Sequence, residues 1–300
     1  MISKSLKILV VLSGLFVASS AFAALKVVTT TTNLAALVEA VGGEHVEVYS
    51  LTKGNQDAHY MDAKPSFIMR AARADLVVSV GLELEIGWLP AMISGARNPK
   101  IMPGQEGSLV LGDHVKPLEI PKGAISRDQG DVHPDGNPHF MLDPVRAGKL
   151  ALVVAKRLTA LAPKDGAYFN KNAQAFKSRM DEGAKVWAAA IKKAGIKQIF
   201  TYHKTLSYFL QRMDVNAVGY IEPKPGVPPT ASHVLSLIKS AKQKKVQLIL
   251  VEHLYETAIP KRIQKEVNGM KVASVPVLVG AEPDVNSLYS LYESLVKSLQ

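Results

Sequence analysis

Two short runs, Leu76 to Val80 and Leu248 to Val251, are apolar at nearly every position. A half-buried strand would alternate polar and apolar residues, so such runs suit sheets covered on both faces, the condition of parallel α/β construction. The surrounding chain fits that reading. Leu25 to Thr29 is expected to be a strand, Leu34 to Val41 a helix and Val46 to Leu51 a second strand. Ser66 to Ala74 reads as a helix after Pro65, leading into the buried strand Asp75 to Val80.

A different pattern follows. Asp143 and Pro144 open a helix, as N-cap and first helical residue. Its apolar stripe is Ala147, Leu150, Ala151, Val154, Leu158 and Leu161. Next, Phe169, Ala173, Phe176, Met180, Ala184, Trp187 and Ile191 are spaced 4, 3, 4, 4, 3 and 4 apart. They predict one helix from about Asp165 to Lys193, roughly 40 Å long at ~1.5 Å per residue. Strand and helix alternation then restarts. Strands are expected at Lys197 to Thr201, Ala217 to Ile221, Gln247 to Val251 and Lys271 to Val275. Helices are expected near Leu206 to Met213, His233 to Lys242 and Pro260 to Val267, with a last one from Ser287 to Leu299. The architecture implied is α/β: two parallel-sheet lobes, 24–163 and 195–300, joined by a linking helix over 164–194. Residues 113–138 are rich in Pro, Gly, Asp and Lys without apolar period, and read as a long loop.

Residues 1–23 read as a signal peptide: Lys4 and Lys7, an apolar run from Ile8 to Ala18, then Ala21-Phe22-Ala23 as a cleavage site. With no cysteine in the chain, there is no thiol for a lipid anchor. The expectation is an unlipidated periplasmic protein without a membrane anchor, held by packing and not by disulfides. The formal charge of +10 drops to about +8 without Lys4 and Lys7. The lysines are scattered along helix faces and not interleaved with aromatics, so no nucleic-acid partner is expected.

Three histidines lie at chain turns: His59 in GNQDAHYMDAKPS, His139 in NPHFMLDP and His203 in QIFTYHKT. They are 80 and 64 residues apart, so only folding could bring them together. Taken singly each has a plain structural reading: a loop histidine, one packed against a helix cap, and a core histidine bonded to backbone. Neutral imidazole is nevertheless the commonest protein ligand for a borderline metal such as Zn²⁺. His203 follows a strand end by two residues, where open parallel sheets place their ligands.

Three segments carry a family resemblance. GNQDAHYMDAKPS resembles D-P-H-x-Y-E-P-x-P-S, ADLVVSVGLELEIGWL resembles A-D-L-V-x-x-N-G-L-x-L-E-x-W-L, and NPHFMLDP resembles D-P-H-x-W-L-D-P. These are the patterns of the zinc/manganese solute-binding receptors of bacterial ABC importers. The resemblance implies a monomeric periplasmic receptor that binds metal between its lobes through His59, His139 and His203 and docks on a membrane permease. The family's fourth ligand is an aspartate on the last strand. Here Pro276 occupies that position, judged by its 13-residue spacing to Tyr289. Glu282, Asp284, Glu252 or a water are the alternatives for the fourth place. The family's histidine-rich loop is reduced to His114 and His133, both read as exposed. His45 reads as a surface residue, His233 as a first-turn helix residue and His253 as a residue at the cleft edge. Asp57, Asp62 and Asp143 are candidates to orient the ligands.

Three imidazoles and at most one oxygen favour Zn²⁺ over Mn²⁺. Two other functions compete with the receptor. An open three-histidine site could run zinc-dependent hydrolysis, but the chain has neither H-E-x-x-H nor G-x-S-x-G. A surface adhesin is the other, against which the missing anchor thiol argues.

Overall fold

The computed structural model describes residues 24–123 and 132–300; the expected signal peptide lies outside them. Two four-stranded, wholly parallel sheets are present among these residues. The first contains β1 (Leu25–Thr29), β2 (Val46–Ser50), β3 (Leu76–Ser79) and β4 (Ser108–Val110), in the order β2-β1-β3-β4. The second contains β5 (Gln198–Thr201), β6 (Asn216–Tyr220), β7 (Leu248–Glu252) and β8 (Lys271–Val275), in the order β6-β5-β7-β8. The second sheet thus repeats the winding of the first. Crossovers run through α1 (Thr32–Gly42), α2 (Pro65–Ala72) and α3 (Leu89–Ala96) in one lobe. In the other they run through α6 (Ser207–Arg212), α7 (Ala231–Lys244) and α8 (Ala258–Glu266).

The two-faced apolar runs distribute as a period of two requires. Val27, Leu76 and Val78 point to a central core, whereas Val28 and Val77 meet Phe67, Met92 and Ile93 on the outer face. In the second lobe Leu248 and Leu250 face the centre, and Ile249 and Val251 meet Val234, Leu237 and Ile263. The central core is shared by both lobes and by α4 (Pro144–Leu161), α5 (Gly166–Ala194) and α9 (Leu288–Lys297).

Helix α5 has 29 residues, about 43 Å at 1.5 Å each. The predicted stripe is its buried face, with Phe176 alone only partly covered. Two elements had not been expected. Strand β4 is three residues long, too short for a periodic signal, and α3 carries Pro90 and Gly95 within eight residues. No helix among the described residues is long and apolar enough to cross a membrane.

The lobes are clasped beside the cleft. Asn33 on α1 donates to the Val277 carbonyl at 2.9 Å and accepts from the Val279 amide at 2.9 Å. The Tyr292 hydroxyl of α9 donates to the Met141 carbonyl at 2.6 Å. Gly54 lies so close to Gly280 that a β-carbon there would overlap the Gly280 backbone.

Candidate metal centre

His59 sits in a single 3-10 turn, Ala58–Tyr60, beyond β2. The Asp57 carboxylate caps that turn, accepting from the His59 amide at 2.9 Å and from its Nδ1 at 2.6 Å. Burial pushes Asp57 up, but the bonds from His59 and the charges of His59 and His203 outweigh it and hold the carboxyl below its ordinary range. From across the lobe the Trp88 indole donates to the Ala58 carbonyl at 2.8 Å. Glu85 accepts from Thr30 Oγ1 at 2.5 Å and from the Val80 and Gly81 amides. The acidic and aromatic residues of the GLELEIGWL segment therefore brace the strand ends beneath His59.

His139 precedes the turn Phe140–Leu142, and its amide donates to Asn137 Oδ1 at 2.9 Å. Its Nε2 is buried with no hydrogen-bond partner. Burial first, and then the neighbouring His59, His203 and His133, hold its pKa well below the ordinary histidine value. The ring therefore stays neutral with a free lone pair.

His203 follows β5 and is 6% exposed. Its Nδ1 lies 2.8 Å from Glu222 Oε2, and its amide donates to Glu252 at 3.3 Å. Glu252 is wholly buried, which pushes it up to about 8.

The three rings meet in the cleft. Centroids are 5.4 Å apart for His59 and His139, 5.6 Å for His139 and His203, and 6.2 Å for His59 and His203. A fourth ring joins them. His133 lies 5.2 Å from His59 and 6.5 Å from His139 between centroids, with its Nε2 3.1 Å from His59 Nε2. A tetrahedral Zn²⁺ with bonds of about 2.0–2.1 Å separates its donor atoms by roughly 3.4 Å, close to that spacing. Among the described residues no three or more His, Cys, Asp or Glu side chains are arranged so that they could hold a metal ion as they stand.

Several expectations need correction. His133 is half-buried in the cluster and not an exposed loop residue; its signal was the His133-Pro-Asp-Gly136 turn inside an otherwise featureless loop. Glu252 is occupied with the His203 amide, while Glu282 and Asp284 are exposed. Asp143 does not orient a ligand. It caps α4 through the Val145 amide at 2.9 Å and pairs with Arg146 and with Arg212, the latter at 2.9 Å. Asp62 is exposed. His45 is partly buried against α5, 3.2 Å from Asp165. His253 stays outside the cluster and links the lobes, its Nε2 2.7 Å from the Gly54 carbonyl. His114 is exposed, and His233 stands in the first turn of α7, both as expected.

Residues 27–300 match the family described as ZnuA, zinc-uptake complex component A, periplasmic. The metal ABC transporter substrate-binding lipoprotein SloC of Streptococcus mutans is 25% identical over 280 residues, 90% of this chain and 88% of SloC. The manganese ABC transporter substrate-binding lipoprotein PsaA of Streptococcus pneumoniae is 26% identical, covering 81% of this chain and 77% of PsaA. The zinc-binding lipoprotein AdcA of that species is 24% identical, covering 91% of this chain and 52% of AdcA. In fold, a crystal structure of ZnuA superposes with a TM-score of 0.76 at 21% identity, covering 93% of this chain and all of that one. These relatives are named as binding proteins, and the hydrolytic reading finds no support among them.

The same names overturn the expectation of an unlipidated protein. SloC, PsaA and AdcA are lipoproteins, so anchorage at a membrane is a property of this chain's relatives, and the reading from an absent thiol is withdrawn. Placement outside the cytoplasm agrees with them. With its profile matched from residue 27 to residue 300 and its two lobes joined by α5, the chain belongs to the ZnuA family of periplasmic metal-uptake components.

Proposed function

We propose that this chain captures a divalent transition-metal ion between its lobes, 24–163 and 195–300, and delivers it as a monomer to the permease of an ABC importer. The donors are Nε2 of His59, His139 and His203, and the preferred cargo is Zn²⁺. The observation that carries this reading is His139 Nε2, a buried acceptor without a partner at the centre of converging imidazoles. Leaving such an atom unsatisfied costs about 1–3 kcal/mol, and a metal bond removes that cost. The neighbours support it. Asp57 and Glu222 engage Nδ1 of His59 and His203, which leaves Nε2 of each as the nitrogen available to an ion and makes the rings better donors. The relatives are named for zinc in one case and manganese in another, and imidazole donors favour the first. Equilibrium dialysis of the metal-stripped protein against Zn²⁺ tests the reading. One ion retained per chain is expected, and no retention would end it.

A further inference from the structure

We propose that His133 is the fourth donor, making an all-imidazole site whose cargo is a borderline ion such as Zn²⁺, Cu²⁺ or Ni²⁺ and which rejects Mn²⁺. This rests on the reading of the cleft as a metal site and goes on to name the ligand that decides the choice of ion.

Position is the first argument. His133 Nε2 lies 3.1 Å from His59 Nε2, and the ring faces His139 edge-on at 6.5 Å. His133 is also held there. It begins a turn through Pro134 and Asp135, closed by the Gly136 amide on the His133 carbonyl at 3.2 Å, with Gly136 at φ 104°. Proline in the second place and glycine in the fourth are what such a turn favours. The next residue, Asn137, is buried and pinned to the second lobe. Its side chain donates to the Lys204 carbonyl at 2.9 Å and to Glu119 at 3.1 Å, and its carbonyl accepts from the Tyr208 hydroxyl at 2.6 Å. The same hydroxyl accepts from the Leu118 amide at 2.9 Å. Both described ends of the 113–138 loop are thus zipped onto α6, and His133 is presented from a fixed turn.

Elimination is the second argument. Asp57 is engaged by His59, Glu222 by His203, and Glu252 by the His203 amide. Behind His139 lies a cavity of about 60 Å³ lined largely by Leu84, Met141, Leu254, Val277 and Leu278. The one carboxylate lining that side is Asp57, whose Oδ1 is taken by the His59 amide and ring. The other side of His139 opens into a cavity of about 90 Å³ bordered by His133, His203, Val132, Pro225 and Glu119, whose two carboxylate oxygens accept from Asn137 and Ser207. The fourth donor therefore comes from the loop side. Charge is also satisfied, because the Asp57 and Glu222 carboxylates behind His59 and His203 balance a divalent ion. Four nitrogens suit Zn²⁺, Cu²⁺ and Ni²⁺, whereas Mn²⁺ takes carboxylate, carbonyl and water oxygens.

The test is competition titration of Zn²⁺ and Mn²⁺ into the full chain, the variants His133→Ala and His133→Asp, and His114→Ala as a control, with an X-ray absorption spectrum of each zinc-loaded form. The expected result is four imidazoles in the parent and three in His133→Ala, with zinc affinity lowered at least about tenfold. His133→Asp should narrow the preference for zinc over manganese by a similar factor, and His114→Ala should match the parent. A His133→Ala variant with parental affinity and an unchanged spectrum would overturn the role of His133 while leaving the three-histidine site standing. A parent that binds neither ion would overturn both.

Discussion

At the scale of single residues, the cleft is decided by which imidazole nitrogens are already engaged. His59 and His203 commit Nδ1 to carboxylates and His139 leaves Nε2 bare. Replacing His139 with alanine breaks no hydrogen bond at Nε2, so the far-ultraviolet dichroism should stay parental. Zinc affinity should fall by more than the roughly 10- to 100-fold that loss of a ligand's hydrogen-bond partner costs. Asp57→Ala removes such a partner and should fall inside that range, read by the same titration. Protons compete with the ion for imidazole, so retained zinc should decline as pH drops below about 6. Full retention at pH 4.5 would contradict a histidine shell. Glu252 gives a signal in the opposite sense. Its folded-state value is raised to about 8, so above its unfolded value the folded state keeps a proton that the unfolded state has lost. Its contribution to stability therefore falls as pH rises from about 4.5 to about 8. Melting temperatures of Glu252→Gln against pH should lack that decline. His59, His139 and His203 were legible because each closes a motif. His133 was not, because only its pinned turn distinguishes it from any loop histidine.

At the scale of elements, the strands were readable because a strand covered on both faces is apolar throughout, and the long helix because seven apolar residues keep one stripe over six turns. Strand β4 and helix α3 escaped for want of length. The loop strap also left no periodic trace, since side chain to backbone bonds hold it and not an apolar face. Tyr208 is the centre of that strap, bonded to both the Asn137 carbonyl and the Leu118 amide. Tyr208→Phe leaves both groups without that partner, at about 1–3 kcal/mol. Faster hydrogen exchange at the Leu118 amide is the expected outcome. Unchanged exchange would mean that the strap is held elsewhere.

At the scale of the whole molecule, the lobes share one apolar core with α4, α5 and α9, and Asn33, His253 and Tyr292 tie them across the cleft. A wide clamshell would break that core. Solution scattering with and without zinc should therefore differ in radius of gyration by less than about 1 Å, and a change of several ångströms would refute the stiffness. The doubled winding was legible in the restart of strand and helix alternation after residue 195. The shared core was not, since no local pattern says which two faces meet. The central claim is that a divalent ion sits among Nε2 atoms of His59, His139 and His203. Anomalous diffraction at the zinc edge, from crystals of the zinc-loaded protein, addresses it directly. One strong peak is expected about 2.0–2.1 Å from all three atoms; a peak elsewhere with the cleft empty would contradict the three-histidine site.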